Sequence, residues 1–302
     1  MTNYKNQSHL LTILQALFVT FLWSTSFIII KWGLSEIPPL TYAGLRYSIA
    51  FICFMPFVLR KKHLSEIKNL TSVQWKKLIL LGIVFYAFTQ GTQFLGLYYL
   101  PSVTVSLMLN FTPIIVAVMG IFLLNEHPTL QQWTGSALFL AGIFIYFFPL
   151  SSGENQVTGL LIMCLGVLAN SGAAVLGRDI NRDKKISPLV ITFISMGTGS
   201  VLLLGTGITL NGIPEISAET WGYILWLAAV NTAFAFTLWN HTLRTLSAME
   251  SSIINGTMLI QIAMLAWYFL DEQISLQEGT GMIIAAAGAV LVQLKKLNFR
   301  KA

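Results

Sequence analysis

Apolar residues run in long, nearly unbroken stretches along this chain, and each stretch is closed by charged or turn-forming residues. The stretches cover residues 10–33, 40–60, 77–98, 101–124 and 130–149, then 157–178, 188–210, 219–242, 247–270 and 276–294. A helix needs roughly 20 apolar residues to cross the hydrocarbon core, so the pattern predicts ten transmembrane helices. The first stretch exceeds the roughly 7–15 residue core of a signal peptide and lacks an A-x-A cleavage pattern, so it is read as a span.

Composition agrees with an all-α membrane protein. Of 302 residues, 55% are hydrophobic and only 10% charged, against about 25% charged in a soluble domain. Ten spans use roughly 200 residues, which leaves loops and tails but no soluble domain. Cys53 and Cys164 lie inside apolar stretches and offer neither a disulfide framework nor metal-ligand spacing, so they read as small core residues. No metal or cofactor is expected.

The net charge of +6 raises the question of nucleic acid, but the placement of the charges answers it. With the amino terminus inside, the inner loops and tails hold Lys5, the clusters Arg60–Lys77 and Arg178–Lys185, Arg244 and the tail from Lys295 to Lys301. That is 16 of the 18 basic residues, leaving Lys31 and Arg46. The outer loops hold Glu36, Glu154, Glu215, Glu219, Asp271 and Glu272. The positive-inside rule then places both termini in the cytoplasm and the chain in the cell membrane. Basic clusters at that face serve topology and anionic lipid, so the expected partners are the bilayer and a small molecule, with no nucleic acid. Oligomeric state is not encoded, and a monomer suffices.

Shifting the chain by 146 residues superposes its halves without gaps from about 81 to 146. Ala87-Phe88 falls on Ala233-Phe234, Ser106 on Ser252, and Leu124-Asn125-Glu126 on Leu270-Asp271-Glu272. Thr134-Gly135 falls on Thr280-Gly281, and Ala141-Gly142 on Ala287-Gly288. Each half, 1–150 and 151–302, holds five spans. The odd number turns the second half over, which predicts an inverted-topology repeat, the architecture of alternating-access carriers; a duplication that merely builds a stable bundle is the alternative. Thr129/Gln132, Ser275/Glu278 and Ser247/Glu250 have capping-box spacing where spans begin.

These residues resemble the EamA-type branch of the drug/metabolite transporter superfamily. The resemblance rests on WSTSF at 23–27, Pro39 followed by Arg46 and Ala50, SVTVSLMLNFTP at 102–113, and NE at 125–126 and DE at 271–272 with the glycine pairs after them. It covers nearly the whole chain. It implies two inverted five-helix units exporting amino acids, related metabolites or drugs through a central cavity lined by spans 1, 3, 4, 6, 8 and 9. The chain departs from the pattern at Leu259, where the fourth span's Pro113 has no proline partner.

Polar side chains in mid-span supply the candidate substrate contacts. The fourth span carries Ser102, Ser106, Asn110, Pro113, Ala117 and Gly120 on one face; the ninth carries Ala248, Ser252, Gly256, Leu259, Ala263 and Ala266. Small faces of this kind also allow plain helix packing. Asn110, Gln90, Gln93, Asn170, Asn231, Asn255 and Gln261 spread amides over five spans, where each must bridge helices or face a wet cavity. Tyr86 shares the i, i+4, i+7 face of Gln90 and Gln93. Trp23 and Tyr86 could stack on a ligand or simply pack. Arg46 lies about six residues, roughly 9 Å, inside the outer end of its span. It either snorkels or hydrogen-bonds structurally, or it counters a substrate carboxylate, since no acid lies at comparable depth nearby. Glu250 and His241 sit near span ends and are weak candidates for proton carriage.

The expected function is therefore export of small metabolites such as amino acids by alternating access. A drug, nucleobase or amine exporter and a facilitative uniporter are alternatives of the same fold. An intramembrane enzyme is disfavoured by the lack of HExxH, GxSxG or a paired mid-span carboxylate, and the four histidines are scattered near span ends. A passive channel would need several subunits or an open pore.

Overall fold

Proline marks where three of the helices start. Pro39 and Pro188 occupy the first helical position, where a missing N–H costs nothing, and Pro101 stands just before a third helix. The computed structural model describes residues 2–112, 114–116, 118–119, 129–148, 154–182, 186–212, 214–242 and 254–293. Pro113, Ala117, Gly120, Asn125, Glu126, His127, Lys184, Lys185, Arg244, the Ser247/Glu250 pair, Ala248, Ser252 and the terminal basic cluster lie outside them. So do the side chains of Gln132 and Arg178.

All described elements are helical. They are α1 (Thr2–Gly33), α2 (Pro39–Val58), α3 (Lys61–Lys68), α4 (Ser72–Tyr99), α5 (Ser102–Leu109), α6 (Leu130–Phe147), α7 (Glu154–Arg182) and α8 (Pro188–Asn211). Then come α9, in joined pieces Ala218–Ala228, Ala229–Phe234 and Ala235–Thr242, α10 (Ile254–Phe269, broken at Thr257) and α11 (Leu276–Gln293). Six of these, α1, α2, α4, α7, α8 and α9, are long and apolar enough to cross a membrane; α5, α6, α10 and α11 are shorter apolar helices. The short helix α3 was not anticipated. It is solvent-facing, with no buried residue, and lies in the basic loop before α4. A capping box between Thr71 and Gln74 starts α4, and the anticipated Ser275/Glu278 box starts α11.

Large apolar side chains such as Leu161, Leu165, Val201, Leu210, Met264 and Ile283 stand on the outside, each more than 60% exposed. In water such a belt would be an aggregation liability; facing lipid it is the natural surface of a multi-pass membrane protein. Cys164 belongs to that surface rather than to the core, and Cys53 is half-buried; both are free thiols.

The two halves of the chain are packed into one another. Helices α6 and α11 meet along the repeated glycines: a Cβ on Gly142 would sit 2.6 Å from the Gly281 carbonyl oxygen, one on Gly281 2.7 Å from that of Gly142, and one on Gly288 2.7 Å from that of Gly135. No side chain fits at those distances, so the two backbones touch directly. Helices α2 and α8 approach as closely where Gly44 faces Leu204 and Gly207 faces Thr41. Helix α4 packs on α7 and α8, and α1 on α9 and α10.

Both α4 and α9 lose the regular helical ladder in mid-span. Residues Gly82–Gln90 and Ala229–Phe234 are π-helical, and shifting the first by 146 residues covers the second. In each a threonine hydroxyl donates to the carbonyl five residues back, Thr89 to Val84 (3.0 Å) and Thr232 to Leu227 (2.8 Å). Such widened turns recur at functional sites.

Carboxylates from one half cap helices of the other. At one end Glu272 accepts from the Ser102 and Val103 amides at the start of α5 (2.8 and 3.4 Å), and Glu36 accepts from the Ser217 amide at the start of α9 (3.2 Å). At the opposite end Glu66 accepts from the Ser187 amide and hydroxyl, and Lys77 pairs with Asp179 at 2.6 Å. Hydrogen bonds from Thr220 and then Ser217 hold the Glu36 carboxyl below its ordinary 4.5. A depressed carboxyl stabilises the fold above its ordinary value, and the contribution is lost as pH falls through the lower folded value. Between about pH 6 and about pH 3, wild-type melting temperature should therefore drop further than that of Glu36→Gln; superimposable curves would show that the carboxylate's charge adds nothing.

Candidate functional site

A cavity of about 330 Å³ opens where the helices of both halves converge, within the range of small-molecule sites of roughly 300–1,000 Å³. Helix α1 contributes Trp23, Ser26 and Phe27, and α2 contributes Arg46 and Tyr47. From α4 come Phe85, Thr89, Gln90 and Gln93, and from α5 and the turn after it Ser106, Leu109, Asn110 and Thr112. Asn170 of α7, Phe236 of α9, and Asn255, Gly256, Met258 and Ile262 of α10 complete the wall. Seven of the anticipated residues thus share one cavity: Trp23, Arg46, Gln90, Gln93, Asn110, Asn170 and Asn255.

The other three stand behind that wall. Tyr86 is buried, its ring 5.5 Å from that of Tyr47, and its Cβ lies against Gly199 of α8. The π-helical turn breaks the 3.6-residue period across 82–90, so Tyr86 leaves the face that Gln90 and Gln93 keep. Asn231 is fully buried and its amide nitrogen, with two hydrogens, lies within hydrogen-bond reach of Leu22 O, Thr25 Oγ1 (3.1 Å) and Ser26 Oγ (2.8 Å), which ties α9 to α1. Gln261 accepts from Ser24 (2.9 Å) and donates to Thr257 (3.0 Å) and Thr20 (3.3 Å), which ties α10 to α1. These two amides act as bridges between helices.

Within the cavity the polar groups have set orientations. Tyr47 donates its hydroxyl to Gln90 Oε1 (2.6 Å), and among the described residues the Gln90 amide N–H groups remain for another acceptor. Asn110 donates to the Ser106 carbonyl (2.8 Å), which can only accept, and its own Oδ1 is left as an acceptor. Asn170 donates to Thr112 Oγ1 (3.0 Å). Arg46, 4% exposed, donates from Nε to Thr232 Oγ1 (3.0 Å), with its guanidinium carbon 5.3 Å from the Tyr47 ring centre. That burial replaces the snorkelled pose with a structural hydrogen bond that, among the described residues, leaves most of the fork unused. Trp23 packs at a tilt between Phe236 and Trp239, its ring centre 5.2 Å from each, and its indole N–H has no partner among the described residues.

Tyr47, Thr89, Thr112 and Thr232 were missed from the sequence, as were the aromatic walls Phe27, Phe85 and Phe236. Their residue types are ordinary in membrane helices, and no spacing singles them out. Among the described residues no group of histidine, cysteine and carboxylate side chains could hold a metal.

Comparison with known proteins fits this architecture. A solved crystal structure superposes with a TM-score of 0.66 over 93% of this chain and 96% of its own, at 18% identity, which establishes a shared fold. The uncharacterized transporter YoaV of Bacillus subtilis is 25% identical over 89% of this chain and 92% of its own length. A protein of Escherichia coli K12 named as a probable amino-acid metabolite efflux pump is 23% identical over 95% and 96%. The S-adenosylmethionine/S-adenosylhomocysteine transporter of Chlamydia trachomatis serovar L2 is 24% identical over 83% and 80%. The model of the EamA-like transporter family matches twice, over residues 10–148 and 157–294. With nearly its whole length so matched, this chain is a membrane transporter rather than an enzyme, and it belongs to the EamA-like transporter family.

Proposed function

We propose that the protein exports a small, partly polar metabolite across the cell membrane by alternating access, with the central cavity as its binding site. The observation that carries this reading is the cavity itself, a chamber of mixed polar and aromatic lining walled by helices from both family-matched segments. Its contacts are Trp23, Arg46, Gln90, Gln93, Asn110, Asn170 and Asn255, while Tyr86, Asn231 and Gln261 set their backing.

The proposed architecture is ten spans in two inverted five-helix repeats, 1–150 and 151–302. The double family match, the reciprocal glycines of α6 and α11, and the matching π-helical turns support it. For orientation, Lys77–Asp179 and Glu66–Ser187 gather the basic loops at one end, while Glu36 and Glu272 sit at helix starts of the other. We place the basic end, with both termini, in the cytoplasm. Export of a metabolite is the direction suggested by the name of the Escherichia coli relative.

Among the described residues no Asp or Glu lines the cavity, which favours exchange or facilitated diffusion over proton coupling through a carboxylate. Purified protein in liposomes should show saturable flux accelerated by substrate on the far side. Non-saturable flux without such acceleration would indicate a channel, and chemical conversion of the solute an enzyme.

A further inference from the structure

We infer that the cavity selects solutes carrying a carboxylate, which Arg46 receives, and rejects amines that lack one. The inference rests on the transporter reading above and specifies its substrate class. Arg46 is the only charged residue in the described wall, and its one hydrogen bond among the described residues goes to a neutral hydroxyl. A buried guanidinium with so little compensation is costly, and in a membrane such a charge is kept where function uses it. Among the described residues four of its five N–H donors remain for a ligand, in the planar fork that matches a carboxylate two-to-two. A cationic solute would meet uncompensated positive charge instead.

The second half of the chain aims this fork. The Thr232 hydroxyl donates to the Leu227 carbonyl that the π-helical turn of α9 exposes, so its oxygen faces Arg46 Nε as an acceptor. Beside it Tyr47 lies under the guanidinium and orients Gln90, whose free N–H groups add donors. Asn110 Oδ1 supplies an acceptor, so a solute bearing an amino group as well as a carboxylate finds partners for both. Trp23, Phe27, Phe85 and Phe236 accommodate an apolar body. Thr232 is a positioning residue in this scheme, acting on the ligand through Arg46.

The test compares small carboxylates with apolar bodies, including simple monocarboxylates and α-amino and α-hydroxy acids, each beside its primary amide and its decarboxylated amine. Binding is read as thermal stabilisation of detergent-purified protein, and transport as counterflow in liposomes. At least one carboxylate should bind and exchange at least tenfold better than its amide and amine, and Arg46→Gln should abolish that preference while melting near wild type. If Arg46→Gln fails to fold, Thr232→Val should still shrink the acid-to-amide ratio and Thr232→Ser should restore it, a change that a purely structural role would not produce. Amides or amines that exchange as well as acids would overturn the carboxylate assignment and leave the transporter reading standing. Failure of every probe class to bind or exchange would overturn both.

Discussion

Gly142→Leu is expected to open the seam between α6 and α11 and to lower stability by about 3 kcal/mol, at the upper end of the range for overpacking. The reason is geometric. A flexible side-chain tip can move aside, but the atoms facing Gly142 are backbone, Ala285 and the Gly281 carbonyl, so the whole helix must shift. The shift would also separate Phe139, fully buried in the cluster beneath, from Ala285 and Ala289. Gly288→Leu should behave alike, because Gly288 faces Phe139 backbone and the Gly135 carbonyl in the reciprocal arrangement. Gly205→Leu is the control: it adds the same side chain to a helix of the same apolar type where nothing lies within 4 Å. Melting of detergent-purified protein should put the two seam variants well below wild type and the control close to it. Equal melting for all three would mean that the helices do not touch through these glycines.

Gly256→Trp should stop transport while leaving the protein folded. Gly256 is in the cavity wall, and a Cβ built there meets open space, so an indole grows into the chamber without displacing backbone. The cavity holds about 330 Å³, and a tryptophan side chain would fill much of it. Replacing a helical glycine also favours the helix, by roughly 0.5–1 kcal/mol for alanine. Counterflow should therefore fall at least a hundredfold with melting unchanged or raised, whereas Gly205→Trp, on the exposed side of α8, leaves flux intact. Undiminished flux in Gly256→Trp would place the solute path elsewhere.

The residues differ in how openly they declared these roles. Apolar stretches announced the helices because a helix satisfies its own backbone in lipid, whereas the glycines repeated at 135, 142, 281 and 288 announced the duplication but not that they meet in one seam, since which helices touch is not written in their spacing. Mid-span amides announced a polar interior, but which amide faces the chamber depends on helix rotation. Asn255 lines the cavity and Asn231 bonds α1, although the sequence places both in the middle of apolar stretches. That rotation is reset by the π-helical turns, which leave no mark in composition; this is why Tyr86 departs from the face of Gln90 and Gln93. Helix α3 hid in a charged loop too short for a periodic signal. Thr232 was invisible because its importance comes from Arg46, 186 positions away in the chain.

Alternating access requires that one chamber be reached from both faces of the membrane in turn. With Cys53 and Cys164 replaced by alanine, Ser106→Cys and Asn255→Cys place single thiols on the cavity wall, on α5 and α10. A membrane-impermeant maleimide applied separately to each side of oriented vesicles should label both positions from either side, while the vesicles stay tight to small ions. A transported solute should alter the balance between the two sides. Labelling confined to one side under every condition, or two-sided labelling accompanied by ion leakage, would contradict alternating access.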